Sequence, residues 1–75
     1  MTWVPLESKM LLSVAFDASQ HILYLRFRSG DVYRYFDFPA DDYRQFLLAE
    51  SKGQFFLSNI RNCFCYERMA KLQVA

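Results

Sequence analysis

The sequence holds only two glycines, two prolines, two cysteines and one histidine in 75 residues. So few chain breakers, with 53% hydrophobic residues, exclude collagen-like, low-complexity and disordered chains. Two cysteines are too few for a disulfide-stapled secreted scaffold. No apolar run approaches the ~18–20 residues needed to cross a bilayer. The start MTWVPLESK lacks a basic segment followed by an apolar core, so no secretory signal is predicted and the expected compartment is the cytoplasm. An excess of one charge is missing as well: nine Lys+Arg against eight Asp+Glu leave +1. A dedicated duplex-binding domain normally carries a clear basic surplus, because phosphate neutralisation supplies most of its affinity. The distribution of the arginines, which outnumber the lysines six to three, therefore matters more than their sum.

Aromatic residues are what the chain has in abundance: eight Phe, five Tyr and one Trp, or fourteen rings. A domain this small cannot hide them all, and surplus surface aromatics point to a partner, either a ligand or another copy. The length allows one domain. Residues 1–9 have no periodicity and read as a loose arm, 10–69 as the domain, and 70–75 as a frayed tail.

Within the domain the apolar pattern has a period of two. Leu12, Val14 and Phe16 share one parity in MLLSVAF, and Asp17-Ala18-Ser19-Gln20 is turn chemistry. HILYLRF puts Leu23, Leu25 and Phe27 on one face and Ile22, Tyr24 and Arg26 on the other. DVYRYF sets Tyr33 and Tyr35 opposite Val32, Arg34 and Phe36. A three-residue loop, Arg28-Ser29-Gly30, closed by a left-handed glycine, predicts the pairs Phe27–Asp31, Leu25–Tyr33 and Leu23–Tyr35. The two tyrosines then share the leucine face, while Tyr24, Arg26 and Arg34 share the reverse; a one-residue slip would invert this. Phe38-Pro39 ends the sheet, and Pro39 suits a first helical position, followed by Asp41 and Asp42 at the positive end of the helix dipole. Ala40, Tyr43, Phe46 and Leu47 make the apolar face of that helix. Ser51-Lys52-Gly53-Gln54 matches a capping box opening a second short helix that buries Phe56 and Ile60. The chain is extended near Phe64 and Tyr66. The predicted architecture is α+β: a three-stranded antiparallel meander with two short helices packed on the leucine–tyrosine face.

The order of these signals resembles the KTSC domain, a small bacterial module named for an appendage at the C-terminus of some lysyl-tRNA synthetases. The matching residues are Ser13-Val14-Ala15-Phe16-Asp17, Leu23-x-Leu25-x-Phe27, Ser29-Gly30, Tyr33-x-Tyr35-Phe36, Phe38-Pro39, Tyr43, Ser51-Lys52-Gly53, Phe56, Ile60-Arg61 and Tyr66-Glu67-Arg68. The resemblance spans roughly residues 8–69. It implies a non-catalytic module, with RNA binding suggested by the association with a tRNA synthetase. It also implies mainly structural roles for Tyr33, Tyr35, Pro39, Gly53 and Tyr66.

Two surfaces can carry a binding function. Tyr33 and Tyr35 could stack bases as sheet-surface aromatics do in single-strand binders, although the register turns them toward the helices, where they serve packing. Tyr24, Arg26 and Arg34, with Phe36 beside them, place guanidinium groups next to aromatic rings and suit RNA or a protein partner equally. The bland reading of that face is arginine stems covering apolar surface. Arg61, at the end of the second helix, either complements the helix terminus or contacts a phosphate. Cys63-x-Cys65 and His21 fall short of the four ligands a structural zinc needs, so two free thiols in a reducing compartment are expected. Neither cysteine has a base at a recognisable spacing, Asp41 and Asp42 diverge on their helix, and no phosphate loop or nucleophilic triad occurs. The sequence thus predicts no cofactor and no catalysis. It predicts an RNA-binding module, or alternatively a protein-interaction or self-associating domain.

Overall fold

The computed structural model describes residues 1–69, so the expected fraying of 70–75 lies outside the described residues. Five strands, β1 (Val4–Pro5), β2 (Leu11–Asp17), β3 (Ile22–Phe27), β4 (Val32–Tyr35) and β5 (Tyr66–Met69), form one antiparallel sheet in the order β1-β2-β3-β4-β5. Helices α1 (Ala40–Leu48) and α2 (Lys52–Phe55) follow β4, and α2 runs on into a π-helical turn over Phe56–Ile60. The class is α+β, and the predicted meander is its central three strands.

The glycine-closed hairpin forms as its chemistry requires. Gly30 adopts φ +98°, its N–H donates to the Phe27 carbonyl at 2.9 Å, and the Phe27 N–H donates to Asp31 at 2.8 Å. Leu25 then lies opposite Tyr33 and Leu23 opposite Tyr35. The β2–β3 turn is held by Asp17, whose Oδ1 accepts from the Ser19 hydroxyl at 2.7 Å and from the Ser19 and Gln20 N–H groups at 3.0 and 3.2 Å. These bonds, the Ser19 hydroxyl first, hold the Asp17 carboxyl below the usual carboxylate range.

Strand β2 departs from the predicted alternation. Leu11 pairs with Phe27 and Ser13 with Arg26, which leaves Leu12 as the extra residue of a β-bulge. The bulge moves Leu11 onto the face of Val14 and Phe16, where it is fully buried, and turns Leu12 out to solvent. A larger correction concerns the two edges. Residues expected to be a loose arm pair Val4 with Val14 and Pro5 with Ser13. The Arg28 guanidinium secures the arm further, its Nε donating to the Ser8 carbonyl at 2.6 Å and its Nη2 to the Leu6 carbonyl at 3.4 Å. Two residues are too few to show a period, and proline is tolerated here because β1 is an edge strand.

The core lies between the sheet and the helices. Leu23, Leu25, Phe38, Phe46 and Ile60 are fully buried in one cluster with Leu11 and Val14. Pro39 occupies the N-cap of α1, not its first helical position, with extended backbone (φ −68°, ψ 144°). Of the predicted α1 face only Phe46 is buried; Tyr43 stacks on Phe16 with ring centroids 4.7 Å apart, and Ala40 and Leu47 remain exposed. The helix therefore touches the sheet along a narrow line. At α2 the cap is half of a capping box: Ser51 Oγ accepts from the Gln54 N–H at 3.1 Å, while the Gln54 amide turns to the Ser58 hydroxyl at 2.9 Å. Phe56 and Ile60 are buried as predicted.

Candidate functional site

The sheet presents two surfaces of opposite character. On the face away from the helices, Tyr24 lies opposite Arg34, and Arg26 and Phe36 flank them. The reach of the N-terminal segment changes this surface. Trp3 meets Tyr24 edge-on at 6.4 Å, and the Arg26 guanidinium sits 4.7 Å above the Trp3 ring. Arg34 lies 5.4 Å from the centre of the Phe36 ring. Strand β5 places Glu67 directly opposite Arg34, whose Nε donates to Glu67 Oε1 at 2.7 Å and whose Nη2 completes the ion pair. The Glu67 hydrogen bond raises the already high pKa of Arg34. Beneath these long side chains Ala15, Ile22 and Val32 are buried. Their stems and rings thus form the roof of a thin second apolar layer. Ser13 is caught in this layer, its Oγ buried without a hydrogen-bond partner among the described residues.

The other face is covered by helices over only part of its width. Phe36 N–H donates to the Cys65 carbonyl at 2.9 Å, which brings the returning chain alongside β4 and sets Tyr66 opposite Tyr35. Tyr33, Tyr35 and Tyr66 then converge. Tyr33 and Tyr35 stack at 6.5 Å with 24° between their planes, and Tyr66 lies 5.7 and 5.8 Å from them. Phe27 and Phe56 complete an aromatic wall, 5.3 Å apart and edge-on. Together they line an open cleft of about 380 Å³ between the hairpin and the end of the π-helical turn.

Polar groups rim the cleft. On the helix side Arg61 is exposed and forms no ion pair among the described residues; Asn62 follows in the left-handed conformation at φ 66°, which asparagine tolerates. On the hairpin side Asp31 is engaged: its Oδ1 accepts from Arg68 Nη2 at 2.9 Å and its Oδ2 from the Ser29 hydroxyl at 3.2 Å. Of the three arginines near β4 and β5, Arg34 and Arg68 are paired with acids. Tyr35 is 4% exposed, and its hydroxyl makes no hydrogen bond to a described residue. Burial pushes its phenol far above the ordinary range; Tyr33 and Tyr66 add to this, and the charge of Arg61 opposes it.

The sheet therefore separates the predicted contact residues. Arg61 joins Tyr33, Tyr35 and Tyr66 on the cleft side, whereas Tyr24, Arg26, Arg34 and Phe36 lie on the reverse. Sequence reasoning missed Trp3 and Glu67, the two residues that engage Arg26 and Arg34. The alternation of Tyr66-Glu67-Arg68 carried a signal for Glu67; a lone tryptophan in an aperiodic segment carried none. Cys63 and Cys65 are free and exposed, His21 sits exposed in its turn at φ 56°, and among the described residues no three His, Cys, Asp or Glu side chains could hold a metal ion.

Among known proteins, a crystal structure of a KTSC domain protein from Yersinia pestis superposes with a TM-score of 0.89 at 29% identity, covering 92% of this chain and 97% of that one. A protein of Tsukamurella paurometabola is 37% identical over 51 residues, 68% of this chain and 76% of its own length. An uncharacterised protein of Stutzerimonas stutzeri is 39% identical over 56 residues, 75% of this chain and 79% of its own length. No helix among the described residues is long and apolar enough to cross a membrane. The KTSC domain model matches residues 7–64, and the chain belongs to the KTSC domain family.

Proposed function

We propose that the domain is a non-catalytic RNA-binding module that holds an unpaired nucleotide of an RNA strand in the tyrosine cleft. The observation that carries this reading is the convergence of Tyr33, Tyr35 and Tyr66 beside Arg61, a cation with no ion pair among the described residues, in one open cleft. Bases stack on aromatic rings whatever their identity, at about 1–3 kcal/mol each. A guanidinium beside them supplies the phosphate contact. The reverse face is the weaker candidate, because Arg34 is neutralised by Glu67 and Arg26 is stacked on Trp3. A net charge of +1 and one available cation in the cleft limit the electrostatic share. Binding is therefore modest, with a log–log salt slope near −0.7 for each phosphate engaged on a single strand. Two exposed free thiols fit action in the reducing cytoplasm.

Titration of labelled unstructured RNA and of tRNA at low and moderate salt tests the proposal. Saturable binding with that shallow slope, weakened by Tyr33→Ala, is expected; no saturation even at low salt refutes it. One observation favours the alternative of a protein contact. Leu48 is 77% exposed, and the partly exposed Leu47 and Leu57 line shallow clefts that share Glu7, Glu50 and Lys52. Sedimentation over a range of concentrations distinguishes this reading by a concentration-dependent mass.

A further inference from the structure

The cleft is small and, among the described residues, Arg61 is the one cation lining it, and these two facts narrow what it can hold. At about 380 Å³ it lies at the lower end of the range for small-ligand pockets, room for one nucleotide and not for a run of them. A groove that tracks a strand needs a succession of cations along the backbone. Here Arg68 is bound to Asp31, and Arg34 is bound to Glu67 on the far side of the sheet. A second phosphate directed toward the hairpin would meet the Asp31 carboxylate. What remains among the described residues is one guanidinium, the Tyr35 phenol at the cleft edge, and the rings of Tyr33 and Tyr66, tilted 47° to each other.

We infer that the cleft binds a single nucleotide unit bearing a terminal phosphate, the base lying against Tyr33 and Tyr66 and the phosphate held by Arg61 and the Tyr35 hydroxyl. Two sources share this chemistry, a free nucleoside monophosphate and the phosphorylated end of an RNA strand. The second rests on the RNA-binding reading above. The phosphate oxygens accept from the Arg61 N–H groups and from the Tyr35 O–H. Tyr35 is suited to donate, since a phenol keeps its proton at physiological pH and burial raises its pKa further. The Tyr35 hydroxyl, which borders the open cleft and donates to no described residue, is free to face a ligand acceptor there.

Calorimetric titration separates the possibilities, using adenosine, adenosine 5′-monophosphate, inorganic phosphate, and short oligoadenylates with and without a 5′-phosphate or a 3′-phosphate. The expected result is that the monophosphate binds at least about tenfold more tightly than adenosine or phosphate alone, the loss of one charge-assisted hydrogen bond accounting for that factor. One end-phosphorylated oligonucleotide should exceed its unphosphorylated counterpart by a similar factor. Arg61→Gln, at an exposed site, should keep its melting temperature and abolish the preference for the phosphorylated ligands. If adenosine binds as well as its monophosphate, and unphosphorylated RNA as well as phosphorylated, the end-recognition inference fails while RNA binding stands. If the monophosphate binds and no RNA does, the inference holds for free nucleotides and the RNA reading fails. Absence of binding by every probe overturns both.

Discussion

Replacing Tyr35 by phenylalanine separates packing from function at one atom. The ring keeps its neighbours: Tyr33 at 6.5 Å, Tyr66 at 5.8 Å and Phe56 at 6.1 Å are unaffected by loss of the hydroxyl. Only an oxygen without a protein hydrogen bond is removed from a residue that is 4% exposed. A fully desolvated, unpaired polar group costs about 1–3 kcal/mol. Because this one borders an open cleft, Tyr35→Phe should change stability at neutral pH by between zero and about 1 kcal/mol in the stabilising direction. That corresponds to a Tm rise of at most about 4–8 °C for a domain of this size. Tyr35→Ala, by contrast, removes the ring itself and should cost about 3–5 kcal/mol, a large share of the total stability. Urea unfolding of both variants measures the difference, and a loss above about 1 kcal/mol in Tyr35→Phe would refute the reasoning by revealing a structural partner for the hydroxyl. Alkaline pH supplies an independent check. The folded phenol pKa lies well above its unfolded value near 10, so the folded state holds the proton more tightly. The associated stability is complete below about pH 10 and declines as pH rises past it. Tyr35→Phe should lose less stability over that alkaline range than the wild type does.

Other substitutions test the backbone and the second apolar layer. Gly30→Ala meets no atom within 4 Å but forces a side chain onto φ +98°, and should cost about 1–2 kcal/mol in denaturant unfolding. Gly53→Ala should instead stabilise by about 0.5–1 kcal/mol. It is helical, and a Cβ there would meet Met10 Cε at 3.5 Å and Ser8 Oγ at 3.6 Å, ordinary contacts. Equal costs for the two would contradict the assigned backbone geometry. Ser13→Ala, which deletes a buried unpaired hydroxyl beneath Arg26, should be neutral or stabilising by up to about 1 kcal/mol in the same assay.

The local chemistry of the hairpin made much of the fold legible. The Ser29-Gly30 loop set the register, and the register assigned Leu23, Leu25, Tyr33 and Tyr35 to one side and Tyr24, Arg26 and Arg34 to the other. The bulge at Leu12 was not legible, because Leu11 and Leu12 are equally apolar and only pairing with Phe27 and Arg26 decides between them. Strand β1 escaped for lack of length, since two residues give no period to read; the extension expected near Tyr66 is β5, but its pairing with β4 was not legible from four residues so far along the chain. The candidate site was visible as residues but not as a place. Tyr33, Tyr35, Tyr66 and Arg61 were each singled out, yet their convergence depends on how far the helices cover the sheet and on where the chain returns after Asn62. Helix α1 buries only Phe46, and at the cleft it is Phe56 of the π-helical turn that reaches Phe27 and Tyr35. The arginines of the reverse face looked available because their partners, Trp3 and Glu67, come from the two ends of the domain.

Mapping RNA-induced chemical-shift changes on isotopically labelled protein tests the central claim most directly. The account predicts that a short single-stranded RNA shifts the signals of Tyr33, Tyr35, Tyr66, Arg61 and Asn62, with those of Trp3, Tyr24, Arg26 and Arg34 unmoved. Shifts confined to Trp3, Tyr24, Arg26 and Arg34 would contradict it and return the binding surface to the opposite face of the sheet.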